Sequence, residues 1–278
     1  MAAGARLRRV ALGDVTLAYE EHGTGERPLV LVHGFTGSRD DFADVTGALA
    51  DLGRLVLVDL RGHGDSSNPG TGYTFAQLVA DLLGVFDAAA IARADLLGHS
   101  LGGMVALRFA LAHPERVASL ILMDTGARPI PLLGEAFARA VASVRKHGMS
   151  RLLLASGTTP LAGEELQMAR LEGEERYRAR ARAKLAALDP AAFVTLAPYL
   201  AGHAPVSERL GEIRCPVTVI VGAEDVPFLA LADELVAGIP GATLVRIAGA
   251  GHSPQKSGRD AWLAAVRGHV ARARASTA

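Results

Sequence analysis

The sequence has 278 residues, 50% of them hydrophobic, with 29 lysines plus arginines balanced by 29 aspartates plus glutamates. That length suffices for a substantial core, and the charge balance gives no global field to draw nucleic acid or an anionic membrane. The single cysteine excludes an intrachain disulfide and any multi-cysteine metal site.

Met1 to Val10 carries arginines but no apolar run of signal-peptide length, and no later segment approaches the ~20 residues of a membrane span, so the expected compartment is the cytoplasm. Val10 to Glu21 holds two short apolar stretches around Gly13-Asp14, which predicts a hairpin. Leu29-Val30-Leu31-Val32 is a continuous apolar run, as expected of a strand covered on both faces, and it stops at His33-Gly34-Phe35-Thr36-Gly37. Ser38 followed by Asp40-Asp41 predicts a helix start, with the helix ending near Leu52.

Leu55-Val56-Leu57-Val58 predicts a second buried strand, ending at Asp59-Leu60-Arg61-Gly62-His63-Gly64-Asp65-Ser66. Thr74 and Gln77 have capping-box spacing, and Phe75, Leu78, Val79, Leu82, Leu83 and Phe86 repeat with the helical period. Ala94 to Leu97 predicts a third strand. Behind it stands Gly98-His99-Ser100-Leu101-Gly102-Gly103, the layout of a nucleophile elbow, in which Ser100 sits on a sharp strand-to-helix turn and glycines let the two arms pass closely. Chance supplies Gly-x-Ser-x-Gly in about one chain in seven of this composition, so its neighbours must decide its meaning. Leu101 to Ala112 is apolar nearly all round and predicts a buried helix, and Val117 to Met123 a strand ending at Asp124.

The rhythm of strand, loop and helix then breaks. Residues 127–205 contain helical runs, no strong strand candidate, and Pro129, Pro131, Pro160, Pro190, Pro198 and Pro205 as punctuation. From Leu161 to Leu188, the pairs Glu172/Arg176 and Glu174/Arg178 stand four apart in the favourable order for a solvated helix. The strand pattern resumes at Val217 to Val221, running into Gly222-Ala223-Glu224-Asp225, with a helix expected from Leu229 to Ala237. Cys215, just before this run, reads as a buried structural thiol. A last strand, Thr243 to Ile247, leads to Ala248-Gly249-Ala250-Gly251-His252-Ser253, a helix to about Ala273 and a frayed tail from Arg274.

Alternating strands and helices imply a mostly parallel, doubly wound α/β sheet, in which loops at one edge of the sheet collect the ligand site. Three such loops carry Ser100, Asp225 and His252, in that order. With His33-Gly34-Phe35, the Asp59 to Ser66 turn, the elbow, Gly222 to Asp225 and Gly251-His252, the chain from about Leu29 to Val270 resembles the alpha/beta-hydrolase superfamily, in its lid-bearing branch of esterases, lactonases and carbon-carbon-bond hydrolases. The resemblance implies a discontinuous core of residues 1–126 and 206–278 with a helical lid at 127–205. It implies Ser100 as nucleophile, His252 as base, Asp225 as the acid that orients it, and backbone N–H groups of Leu101 and Phe35 as oxyanion donors. Asp124 and Glu224 are alternatives for the acid. His33, His63 and His99 are expected to shape loops, and Asp59 and Arg61 to hold a turn.

No clustered histidines and carboxylates have metal-ligand spacing and no Gly-x-Gly-x-x-Gly follows a strand, so neither metal nor cofactor is expected. A serine at the elbow argues for acyl transfer to water on a small ester or lactone, rather than the carboxylate chemistry of dehalogenases. A carbon-carbon-bond hydrolase, a perhydrolase and a menaquinone-pathway-type lyase use the same triad. Met104 stands where that lyase family is read as carrying arginine. A small-ligand receptor with little turnover is the reading from a different class. The partners expected are a small substrate and water, with no nucleic acid and no membrane, and a homodimer is left open. Residues 127–205 carry 11 basic and 7 acidic side chains, which reads as a solvated face or as attraction for an anionic substrate. Phe137, Met149, Met168, Tyr177, Phe193 and Tyr199 are candidates to line the pocket.

Overall fold

In Leu29–Val32 and Leu55–Val58 leucine alternates with valine, and because successive strand residues point to opposite faces, the two types go to two different cores. The computed structural model places Val30, Val32, Val56 and Val58 in one apolar cluster and Leu29, Leu31, Leu55 and Leu57 in the other. It describes residues 5–130 and 134–275; the first four residues of the amino-terminal stretch, Pro131 and the last three residues of the tail lie outside the described residues.

Eight strands form one sheet: β1 (Arg6–Leu12), β2 (Val15–His22), β3 (Leu29–Val32), β4 (Leu55–Val58), β5 (Ala94–His99), β6 (Val117–Met123), β7 (Val217–Gly222) and β8 (Thr243–Ile247). Their order is β1-β2-β4-β3-β5-β6-β7-β8. The amino-terminal hairpin joins β4 antiparallel, and every pair from β4 to β8 is parallel. The chain moves from β3 outward to β4 and returns to β5 on the other side of β3. The loops after β3 and β5 therefore diverge, and that switch point is where α/β sheets open a crevice.

The helices are α1 (Ala43–Thr46), set between 3-10 turns Arg39–Phe42 and Gly47–Leu52, α2 (Phe75–Ala88), α3 (Leu101–Ala112), α4 (Gly134–His147), α5 (Ser150–Thr158), α6 (Gly163–Glu172), α7 (Glu174–Ala187), α8 (Pro190–Gly202), α9 (Val226–Gly238), α10 (Pro254–Ser257) and α11 (Arg259–Ala275). Side chains of α2, α3 and α9 pack on the valine face. Phe42, Val45 and Leu49 with Trp262 and Val266 of α11 pack on the leucine face. Trp262 is fully buried and donates its indole N–H to the Met123 sulfur at 2.9 Å. The doubly wound α/β fold expected from the sequence is thus the one formed, with α4 to α8 inserted between β6 and β7.

Four boundaries differ from the sequence expectation. The Ser38 start is met by the Asp41 carboxylate accepting from the Ser38 N–H at 3.3 Å, but the following segment is mostly 3-10 rather than one α-helix. The run from Leu161 to Leu188 breaks at Gly173, whose φ of +91° no helix interior accommodates, so of the two expected pairs Glu174 meets Arg178 at 2.7 Å while Glu172 turns to Arg180 instead of Arg176. α9 starts at Val226 rather than Leu229, because Pro227 suits a first helical turn. The last helix divides at Gly258, where a Cβ would stand 2.2 Å from Ile247 Cγ2, and α11 continues to Ala275. Arg274 is not frayed: it donates to the buried Asp95 carboxylate at 3.1 Å and to the carbonyls of Leu52 and Arg27.

Candidate active site

Ser100 stands between the end of β5 and the start of α3 with φ 52° and ψ −116°, a backbone state that a non-glycine residue adopts only when its surroundings impose it. The surroundings here are hydrogen bonds. The Ser100 N–H donates to the Met123 carbonyl at 2.9 Å, and the Thr125 hydroxyl and the Met104 N–H donate to the Ser100 carbonyl at 2.7 and 3.0 Å. The flanking glycines are sterically required. A Cβ on Gly98 would lie 2.3 Å from the Gly102 carbonyl oxygen, and one on Gly102 would lie 2.4 Å from the carbonyl oxygens of Val32 and His33.

His252 follows β8 and shares its Nδ1 with Asp225 Oδ2 at 2.7 Å, a charge-assisted hydrogen-bond distance. Its ring lies between Phe228 and His99, with centroids 4.5 and 4.9 Å away, and its carbonyl accepts from His99 Nε2 at 2.7 Å. Burial, with His252 beside it, pushes the His99 imidazole down to about 3, so His99 is a neutral fixture of the loop.

Among the three acids at this edge, Asp225 alone bonds His252. Glu224 is exposed. Asp124 is buried, and its Oδ1 accepts the Gly222 N–H at 2.9 Å. Burial and then the neighbouring Asp225 carboxylate push the Asp124 carboxyl well above the usual carboxylate range. Donor atoms of Asp124, Asp225 and His252 all lie within 4.8 Å of one another. This is the one place among the described residues where three such donors could hold a cation, and two of them, Asp225 and His252, are already hydrogen-bonded to each other.

The loop after β3 lies against the elbow, since a Cβ on Gly34 would stand 3.1 Å from both Ser100 Cβ and His99 Nδ1. His33 holds this loop. Its Nδ1 donates to the Gly34 carbonyl at 2.7 Å and its Nε2 accepts the Leu60 N–H at 3.1 Å, a bonding pattern that assigns the neutral tautomer. Burial lowers its pKa to about 4. His63 donates to the Arg61 carbonyl at 2.9 Å. Asp59 accepts the N–H groups of Arg39 and Asp65 at 2.7 and 3.0 Å, and Arg61 pairs with Asp81 at 2.5 Å, so both hold the turn as expected. Phe35 stacks near Phe193 at 5.4 Å and meets Phe137 edge-on at 5.9 Å. Leu101 begins α3, where an amide N–H has no acceptor within the helix. Cys215 is half-buried and burial raises its thiol to about 11, consistent with an inert structural role.

Ser100, Phe35, His99 and His252 open on one cavity of about 210 Å³. The insertion contributes Glu164, Glu165 and Met168 from α6 and Tyr177, Arg180 and Lys184 from α7; Asp41, Gln255 and Lys256 complete the polar side. A neighbouring chamber of about 300 Å³, lined by Leu152, Leu161, Leu185 and Phe193, shares Glu165 and Tyr177 with it. The expected lining residues therefore separate. Met168 and Tyr177 face the Ser100 cavity, Phe193 faces the chamber, Met149 is buried in the core, and Tyr199 packs on Phe75 at 5.1 Å. Asp41, Glu164, Gln255 and Lys256 were not singled out by sequence as part of the cavity; Gln255-Lys256, directly behind the His252 loop, was the signal available.

Over residues 29–266 the sequence matches the family model described as "Alpha/beta hydrolase family". A protein of Bacillus subtilis (strain 168) named "Putative 2-succinyl-6-hydroxy-2,4-cyclohexadiene-1-carboxylate synthase" is 29% identical over 247 residues, covering 84% of this chain and 86% of its own. A protein of Caulobacter sp. (strain K31) named "Putative carbamate hydrolase RutD" is 31% identical over 258 residues, covering 90% of this chain and 94% of its own. The solved enol-lactonase of Burkholderia xenovorans LB400 superposes with a TM-score of 0.82 at 26% identity, over 95% of this chain and 100% of its own.

Proposed function

Because the chain belongs to the alpha/beta hydrolase family, we propose that it is a serine hydrolase that cleaves a small carboxylic ester or lactone through an acyl-enzyme. Ser100 is the nucleophile, His252 the base and Asp225 the acid that fixes its tautomer. The observation that carries this reading is the 2.7 Å Asp225–His252 hydrogen bond at a cavity that also holds the strained elbow serine.

The cycle follows from the residue types. A hydroxyl is a weak nucleophile until a base takes its proton, so His252 Nε2 removes the Ser100 proton as Oγ attacks the carbonyl carbon. Asp225 stabilises the imidazolium that forms. The new oxyanion meets the N–H groups of Leu101 and Phe35, the former at a helix start that favours negative charge. Losing one such donor costs about 3 kcal/mol of transition-state stabilisation. The imidazolium then protonates the departing alkoxide, leaving Ser100 acylated. Water, deprotonated by His252, releases the acid and restores the hydroxyl. His252 accounts for each proton moved, so the cycle calls on no cofactor. In this reading residues 1–126 and 206–278 form the catalytic core and 127–205 a lid that roofs the site.

A lyase of the menaquinone-pathway type is the second reading, favoured by the 29% identical Bacillus subtilis relative. Met104 behind the elbow glycines counts against it. The test is labelling with a fluorophosphonate probe. Stoichiometric modification of Ser100, with both label and ester turnover lost in Ser100→Ala, is the expected result; a folded protein that neither labels nor hydrolyses any of a panel of esters and lactones would overturn the proposal.

A further inference from the structure

The polar wall of the Ser100 cavity carries three cations, Arg180, Lys184 and Lys256, and three carboxylates, Asp41, Glu164 and Glu165, and the carboxylates leave one of the cations poorly met. Lys184 Nζ lies 2.7 Å from Asp41 Oδ1, and Lys256 Nζ approaches the same oxygen only to 3.7 Å, an ion-pair but not a hydrogen-bond distance. The other Asp41 oxygen accepts the Ser38 N–H. Arg180, one turn before Lys184, is engaged by Glu172 and lies 3.8 Å from Asp44. Lys256 is therefore left sharing a carboxylate oxygen that already has a closer partner. Its side chain is only 11% exposed, and an ammonium has three N–H groups to place. Buried charges are ordinarily paired and hydrogen-bonded.

Beside it stands a second unmet group. Gln255 is 2% exposed and lines the same cavity, and its Oε1 has no hydrogen-bond partner among the described residues. A half-turn of the amide presents its NH2 instead. The carboxylates on α6 do not answer this need. Glu164 accepts the Ser253 N–H at 2.5 Å, and Glu165 is exposed.

We infer that Lys256, Lys184 and the Gln255 amide form a carboxylate-binding subsite, so that the ester or lactone cleaved at Ser100 carries a second, free carboxylate group. The inference rests on the serine-hydrolase reading above. Within the Lys184–Lys256–Asp41 cluster two ammonium groups and one carboxylate leave a single local positive charge, which suits a monoanion, and Glu164 and Glu165 on the same cavity disfavour any more highly charged anion. The Asp41 carboxylate, standing in the same cluster, opposes a doubly charged group such as a phosphate monoester. Asp41 also fixes Lys184 in place, so Lys256 is the member free to answer the substrate.

The experiment compares two lactones, or two esters, that differ only in a free carboxylate against its methyl ester, with kcat/KM as the readout. The wild-type protein is expected to prefer the carboxylated compound by at least about tenfold. Lys256→Met is expected to lower the ratio of the two kcat/KM values by about 10- to 100-fold, mainly through KM, as the loss of a hydrogen bond to a charged group predicts. Lys256→Arg, which keeps the charge, is expected to retain most of the ratio. A wild-type protein indifferent to the carboxylate, or a Lys256→Met variant that slows both compounds equally, would overturn the subsite while Ser100 still labels with fluorophosphonate. Absence of labelling and of turnover would overturn the serine-hydrolase reading, and the subsite with it.

Discussion

The strand-end loops and the inserted helices contribute to one cavity but are held in different ways. Ser100 follows β5 directly, Asp225 stands three residues past β7 and His252 five past β8, so each is placed by backbone pairing of parallel strands, β5 and β7 buried and β8 a half-exposed edge. The insertion meets the core through packed side chains, with Leu188, Phe193, Leu196 and Leu200 in the same buried cluster as the valine face, and through polar contacts near the cavity: Glu164 with the Ser253 N–H, the Gln167 amide with the Gly249 carbonyl at 2.7 Å, Lys184 with Asp41, and Asp189 with Tyr73 and the Gly70 N–H. The strand-end positions are fixed by backbone pairing, whereas the side chains that α6 and α7 send into the cavity are fixed by side-chain contacts. The proposed chemistry thus sits on the strand-end loops, and the proposed choice of substrate on a wall that α7 of the insertion shares with α10 of the core.

The largest expected effect breaks the strand-end side. Asp225→Asn leaves the hydrogen-bonding shape but removes the charge that orients His252, and kcat/KM should fall by about 10⁴-fold. Asp124→Asn, at a carboxyl whose charge burial disfavours and which makes no bond to His252, should cost less than about tenfold; steady-state kinetics showing the reverse order would move the acid to Asp124. Next in size is the core beneath the site. Trp262→Ala empties a fully buried position and should lower unfolding stability by about 3–5 kcal/mol in a urea titration. A loss below about 1 kcal/mol would mean that the leucine face does not hold the sheet as described.

The substrate-facing wall, shared by α6, α7 and α10, gives smaller effects. Burial pushes the Lys256 ammonium down to about 8 against the pull of Asp41, with Lys184, Arg180 and Glu172 also acting on it. Burial opposes ionisation of Asp41, but Lys184 and Lys256 outweigh it and hold that carboxyl well below its usual range, so it stays charged throughout. The lysine is charged below its pKa and neutral above it. The preference for a carboxylated over a neutral substrate, read as a ratio of kcat/KM values for the free enzyme, should therefore be flat below about pH 7 and fall by about tenfold per pH unit above 8. A ratio independent of pH would detach Lys256 from recognition. Smallest is the latch between α6 and the His252 loop. Glu164→Gln keeps the acceptor but loses its charge, and kcat should drop by about two- to tenfold; an unchanged kcat would show that the latch does not position the loop.

The strand-end side was also the legible one. Buried parallel strands appear as unbroken apolar runs because both faces are covered, as Leu29–Val32 and Leu55–Val58 show, and Gly98 of the elbow is dictated by the Gly102 carbonyl only four residues away. Boundaries slipped where tertiary packing sets a turn, as at Gly258 against Ile247. The insertion was harder for a physical reason: a solvated helix and one whose cations enter a cavity have the same charge pattern, and α7 is both, with Arg176 exposed and Lys184 turned to Asp41. Asp41 read as a helix-start acid, and its partner lies 143 residues away along the chain. No local spacing records that pairing.

The most direct measurement of the division between chemistry and choice is the mass of the protein quenched during turnover of two esters that share one alcohol leaving group and differ only in a free carboxylate on the acyl chain. The account predicts an acyl group on the peptide carrying Ser100 with both substrates, accumulating faster with the carboxylated one. Turnover of either substrate with no acyl group on Ser100 would contradict it.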